Sequence, residues 1–112
     1  MSDNLILVGL WASHFVGDFL LQFSWMAMGK SKAWRPLLSH VAVYTAVLLW
    51  AGPVYAVVNG AAHLGIDYIT SRINAKSWAE KRIRAFWIGV GFDQFAHAAT
   101  LTLTVPLMGW SA

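Results

Sequence analysis

Long apolar stretches dominate this chain, and the polar residues inside them recur at regular intervals. The run "NLILVGLWASHFVGDFLLQFSWMAM" predicts a helix over about residues 4–28, long enough at 1.5 Å per residue to span a bilayer with some tilt. A basic loop, "GKSKAWR", follows, and Pro36 is placed to open a second helix over about 37–52. The tripeptide "AGP" then predicts a tight hairpin. One continuous helix from Leu37 to Ile73 would be roughly 55 Å long, too long for a single span. A third helix is expected over about 54–73 and a fourth over about 86–108. Between them, Ser77 followed by Glu80 fits a capping box, and Trp78 beside Lys81, Arg82 and Arg84 predicts an interfacial segment over 77–85.

Composition extends this pattern to a fold class. The chain has 112 residues, so a single domain, 1–112, is expected. It is 58% hydrophobic and 12% charged, with a mean hydropathy of +0.55, more apolar surface than a small domain can bury. The expectation is all-α: a polytopic membrane four-helix bundle. All eight Lys and Arg fall in the two loops that join the first helix to the second and the third to the fourth. The positive-inside rule then puts both termini on the non-cytoplasmic side of a bacterial inner membrane, as a multi-pass protein. The first apolar segment lacks a basic n-region and reads as a retained helix, not a signal peptide. Trp34, Trp50, Tyr55, Trp78, Trp87 and Trp110 fall at expected interfaces. The net charge of +3 follows from topology, so no nucleic-acid partner is expected. The expected partners are membrane lipids, with a homo-oligomer or a membrane-protein partner supplying further walls. The absence of cysteine excludes disulfides and thiolate ligands.

The polar residues bring in chemistry. Asp18, Asp67 and Asp93 lie inside the apolar segments, as do His14, His40, His63 and His97, with no Lys or Arg deep in those segments to neutralise the acids. His14 and Asp18 are four apart and share one helix face; His63 and Asp67 repeat this, and Asp93 and His97 reverse it. With the fourth helix antiparallel to the first and third, the reversal stacks three His in one layer and three Asp in another, about 6 Å nearer the cytoplasm. His40 is expected at the Asp layer or its rim, and Gln22 and Gln94 on the same side. Imidazoles and carboxylates suit a divalent metal ion, zinc first and manganese or iron next. The expected ligands are His14, His63 and His97, with Asp67 or Asp93 and His40 at hand. Asp18 is the expected general base, and Gln22 or Gln94 would orient substrate or polarise an oxyanion. Gly17, Gly60, Gly65 and Gly91 are expected to let backbones approach beside the polar groups.

The joint pattern "HFVGDFLLQ", His40 with Tyr44 in "HVAVY", "NGAAHLGIDYITSR" and "FDQFAH" resembles an uncharacterised family of small bacterial and phage membrane proteins, domain of unknown function 3307. A fainter likeness, carried by His63 and Asp67, is to inner-membrane metal-dependent hydrolases, whose additional His motifs are missing here. The leading expectation is a membrane-embedded metal-dependent hydrolase acting on a lipid, lipid-linked or membrane-peptide substrate. Two alternatives stand beside it: a metal-ion or proton-coupled transport component, and a metal-stapled structural or interaction module of phage origin.

Overall fold

A computed structural model describes residues 3–109; Trp110, one of the expected interface aromatics, lies outside them. The described chain forms five α-helices: α1 (Asp3–Phe15), α2 (Ser24–Gly29), α3 (Trp34–Val47), α4 (Pro53–Ala79) and α5 (Ile83–Leu103). A π-helical turn, Val16–Leu20, prolongs α1, and short 3₁₀ turns follow α3 and α5 at Leu48–Ala51 and Val105–Leu107. The long α4 packs along both α3 and α5, while α1 lies against α5 and its π turn meets α3.

Local chemistry accounts for the main breaks. Pro53 opens α4, where a missing N–H costs nothing. Gly52 before it takes φ 119°, a conformation that favours glycine. The Gly109 N–H donates to Ala51 O at 2.8 Å, so the last described residue returns to this hairpin. The first apolar run is not one helix: it leaves regular geometry at the π turn and breaks before Ser24. The third is longer than its pattern suggests, continuing to Ala79, so Ser77 lies inside α4. No capping box forms there; the Ser77 carbonyl accepts from Arg82 N–H and Glu80 caps the helix C-terminus.

The membrane architecture is overturned. No described helix is long and apolar enough to cross a membrane. The expectations of a polytopic membrane four-helix bundle, of transmembrane helices, and of a multi-pass inner-membrane location with both termini outside therefore fall. The physical reason is visible in each helix. α1 and α3 have only 13 and 14 residues. α4 has 27, but Asn59, His63, Asp67, Arg72, Asn74 and Lys76 interrupt its apolarity. In α5, Arg84, Asp93, Gln94 and His97 do the same.

The interior is divided. One end holds an apolar cluster of Leu10, Tyr44, Leu48, Ala51, Tyr55, Ala56 and Leu101. Tyr55, expected at an interface, is fully buried there and donates its hydroxyl to Leu101 O at 2.8 Å. The middle holds the His and Asp side chains, while Val57, Phe92, Phe95 and Leu103 point outward.

Candidate metal centre

Seven ionisable side chains from five elements meet in that middle layer. His14 comes from α1, Asp18 from the π turn, His40 from α3, His63 and Asp67 from α4, and Asp93 and His97 from α5; all seven are buried. A π turn widens the helix and re-aims its side chains, as often happens at functional sites. Here it turns Asp18 inward, 3.6 Å from His14 Nε2 and within hydrogen-bonding distance of His40. Gly17 and Gly60 permit the close packing. A Cβ on Gly17 would touch the Tyr44 ring, and one on Gly60 would collide with Thr45 Oγ1. Gly65 and Gly91 face open space, so they play no such part.

Four atoms converge most tightly. The Nε2 atoms of His40 and His63 are 2.9 Å apart. Asp18 Oδ1 lies 3.0 Å from His40 Nε2 and 3.4 Å from His63 Nε2. Asp67 Oδ2 lies 3.2 Å and 3.1 Å from the same two nitrogens. Five of the six separations among these atoms are therefore 2.9 to 3.4 Å, and all four atoms lie within 4.8 Å of one another. Donors so grouped can share one divalent ion, whose bonds to imidazole and carboxylate are about 2.0–2.2 Å. Asp18 also belongs to a second group, with Asp93 and His97, whose donor atoms all lie within 4.8 Å of one another. These buried groups can hold a metal ion; the donor set leaves its identity open.

His14 has a different place. Its Nε2 is 2.7 Å from Gln94 Oε1, which can only accept, so that nitrogen carries the proton. Its Nδ1 then accepts from the Tyr44 hydroxyl at 2.8 Å. The Gln94 amide donates onward to Asp18 Oδ2 at 3.1 Å and Asp93 Oδ2 at 3.0 Å. Tyr44, His14 and Gln94 thus form a chain that orients two carboxylates. Gln22 folds back to donate to the backbone carbonyl of Asp18.

Electrostatics follow from this geometry. Burial opposes ionisation of Asp18 and Asp67, but hydrogen bonds from His40 and His63, and for Asp67 also from His97, outweigh it and hold both carboxyls well below the usual range. Burial likewise opposes charge on His97, yet its bonds to Asp67 and Asp93 prevail and raise it to about 9. His40 is raised by Asp18 and Asp67 against its own burial. His14 is lowered, chiefly by burial, which suits a neutral relay.

Three participants escaped the sequence reading as site residues. Lys30 Nζ donates to Asp67 Oδ2 at 3.1 Å, although the acids were expected to lack a basic neighbour. Only the break before α2 folds this loop residue back onto α4, and no periodicity signals that. Thr70 donates its hydroxyl to Asp93 Oδ1. It lies three residues past Asp67, on the same helix face, which is the signal that could have found it. Tyr44 stacks on His63 with ring centroids 3.9 Å apart. It lies four residues beyond His40 in the pattern "HVAVY".

Beside the polar layer the molecule opens into a groove of about 780 Å³. Asp18, Thr70, Asp93 and Gln94 form its inner wall.

The fold and site together define a small all-α protein with a buried histidine–aspartate centre. Residues 6–111 match the family described as "Protein of unknown function (DUF3307)", and the chain belongs to that family. No curated protein matches the chain, and no solved structure does. The likeness to inner-membrane metal-dependent hydrolases therefore has no match behind it, and neither hydrolysis nor zinc gains support from these comparisons.

Proposed function

We propose that this protein binds a divalent metal ion between Asp18, His40, His63 and Asp67 and uses it in a hydrolytic reaction at the inner wall of the groove. The carrying observation is the convergence of four donor atoms, five of their six separations being 2.9 to 3.4 Å and all within 4.8 Å. Two imidazole nitrogens at 2.9 Å need a proton or a cation between them, and two carboxylates beside them favour the cation. Such an ion supplies a Lewis acid and lowers the pKa of water towards neutrality.

The chain's own groups then divide the work. Asp18 and Asp67 offset the ion's charge. Asp93 lines the groove, held by Thr70 and Gln94, and is placed to accept a proton from an attacking water. Gln94 reports the state of both Asp18 and Asp93 to neutral His14. The apolar cluster beyond Tyr44 supports an enzyme over a transport path, because a through-route would have to cross it.

The test is metal titration of chelator-stripped protein with Mn(II), Fe(II) and Zn(II), followed by elemental analysis. One tightly held ion per chain is expected, lost in an H63A/D67A variant. Folded wild-type protein that takes up none of them sinks the proposal. For hydrolysis, metal-loaded wild type and D93N are compared on p-nitrophenyl carboxylic and phosphoric esters. Equal rates would remove Asp93 from the role of base.

A further inference from the structure

The groove beside the centre combines three features that no part of the metal site requires. Its outer walls are apolar, formed by Phe19, Met28, Trp78, Phe86, Trp87 and Val90. Lys30 and Lys32 line the same space; Lys30 is paired with Asp67, while Lys32 has no ion pair among the described residues. Among the residues of its lining, Gln22 Oε1 and Ser71 Oγ are buried without a hydrogen-bond partner, while Asn74 Oδ1 packs against Gly89. Gln22 Oε1 can only accept and Ser71 Oγ can accept, so together they call for hydroxyl or amide donors. The volume of about 780 Å³ falls in the range of small-molecule sites.

We infer that the groove binds a single-chain anionic amphiphile. Its aliphatic body would lie between Trp78 and Trp87, its hydroxyls against Gln22 and Ser71, and its anionic head at Lys32 and Lys30. This rests on the proposed function for its meaning as a substrate, because the head would then lie beside Asp18 and Asp93. The binding itself does not need the metal: the walls and Lys32 are present without it. A chain without charge would leave Lys32 unused, and a free phosphate would leave the aromatic walls bare, so charge and shape together select the amphiphile.

The experiment is calorimetric titration of metal-free protein with 1-dodecanoylglycerol 3-phosphate below its micelle concentration. Inorganic phosphate and dodecyltrimethylammonium are the comparison ligands, and A75W and K32E the variants. Ala75 is an exposed residue on the groove wall, so the added indole fills the groove without disturbing the core. One amphiphile per chain is expected, with each comparison ligand at least tenfold weaker and each variant weakening the amphiphile at least tenfold. Equal binding of the cationic chain overturns the inference. So does uptake that is unsaturable or unchanged in A75W, since that describes adhesion to the exposed apolar exterior. Tight binding of inorganic phosphate alone overturns it too. Metal uptake is measured separately, so amphiphile binding can fail while the metal centre stands, and the reverse.

Discussion

Asp67→Asn is the sharpest single perturbation of the centre. The wild-type carboxylate accepts from His97 at 3.1 Å and from Lys30 at 3.1 Å, and lies 3.1 Å from His63 and 3.2 Å from His40. An amide in its place offers one acceptor and turns an N–H₂ towards a ring of donors. Two figures bound the cost. Removing one partner of a buried ion pair typically costs about 3–5 kcal/mol. Independently, raising His97 from 6.5 to about 9 corresponds to about 3 kcal/mol, at about 1.4 kcal/mol per tenfold change in proton affinity. Asp93 shares that effect, so Asp67 accounts for part of it. A loss of about 2–3 kcal/mol at pH 7 is expected for chelator-treated D67N by urea unfolding. His97, followed by its ring-proton NMR titration, should fall from about 9 towards its ordinary 6.5. Lys30, with a side chain only 17% exposed, would then be a poorly compensated cation. K30M in the D67N background should recover at least about 1 kcal/mol, as coupled neighbours do. A loss under about 1 kcal/mol, with His97 still titrating near 9, would refute the placement of Asp67 at the hub of the charge network.

The remaining predictions concern pH, packing and the relay. A raised folded-state pKa stabilises fully below the unfolded value, so His97's contribution to the metal-free protein is complete below about 6.5 and lost as pH climbs through about 9. Denaturation midpoints should fall across that window in wild type and stay flatter in H97N; parallel curves would refute it. On the acid side, Asp18 and Asp67, both depressed, contribute above their ordinary 3.8 and lose that contribution as pH drops through their lower folded values. Gly60→Ala should cost about 1–3 kcal/mol through its collision with Thr45 and be relieved by T45A, whereas Gly91→Ala, meeting nothing within 4 Å, should stabilise by about 0.5–1 kcal/mol. Thermal melts of the three variants decide this, and similar behaviour of G60A and G91A would refute the packing. Tyr44→Phe leaves His14 Nδ1 without its donor and should cost about 1–3 kcal/mol, an effect absent in an H14F background.

Much of the site was legible because helical periodicity is a local property. The spacing of four between His63 and Asp67, and between Asp93 and His97, needs only a helix to put each pair on one face, and α4 and α5 supply it. The antiparallel reversal of order also placed the two pairs side by side, and the His63 and His97 rings stack with centroids 3.9 Å apart. The roles within the cluster were not legible. Asp18 and His14 share their spacing with the other pairs, yet the π turn, invisible in the apolar pattern, carries Asp18 into the four-donor cluster and leaves His14 hydrogen-bonded to Gln94. Membrane architecture was misread for a related reason. Hydropathy averages over the chain, whereas spanning depends on the length and purity of each helix, and the residues that build the centre interrupt α4 and α5.

The sequence by itself determined that the chain is helical, where it turns at Gly52 and Pro53, and which histidines and aspartates share a face. Those follow from backbone preference and a 3.6-residue period, which act over a few residues. Only the tertiary structure decided that Lys30 reaches Asp67, that Tyr44 covers His63, and that a groove opens beside Asp18 and Asp93. These contacts join residues 19 to 75 positions apart in sequence, set by how α2, α3, α4 and α5 pack and by one irregular turn, and no local pattern encodes them.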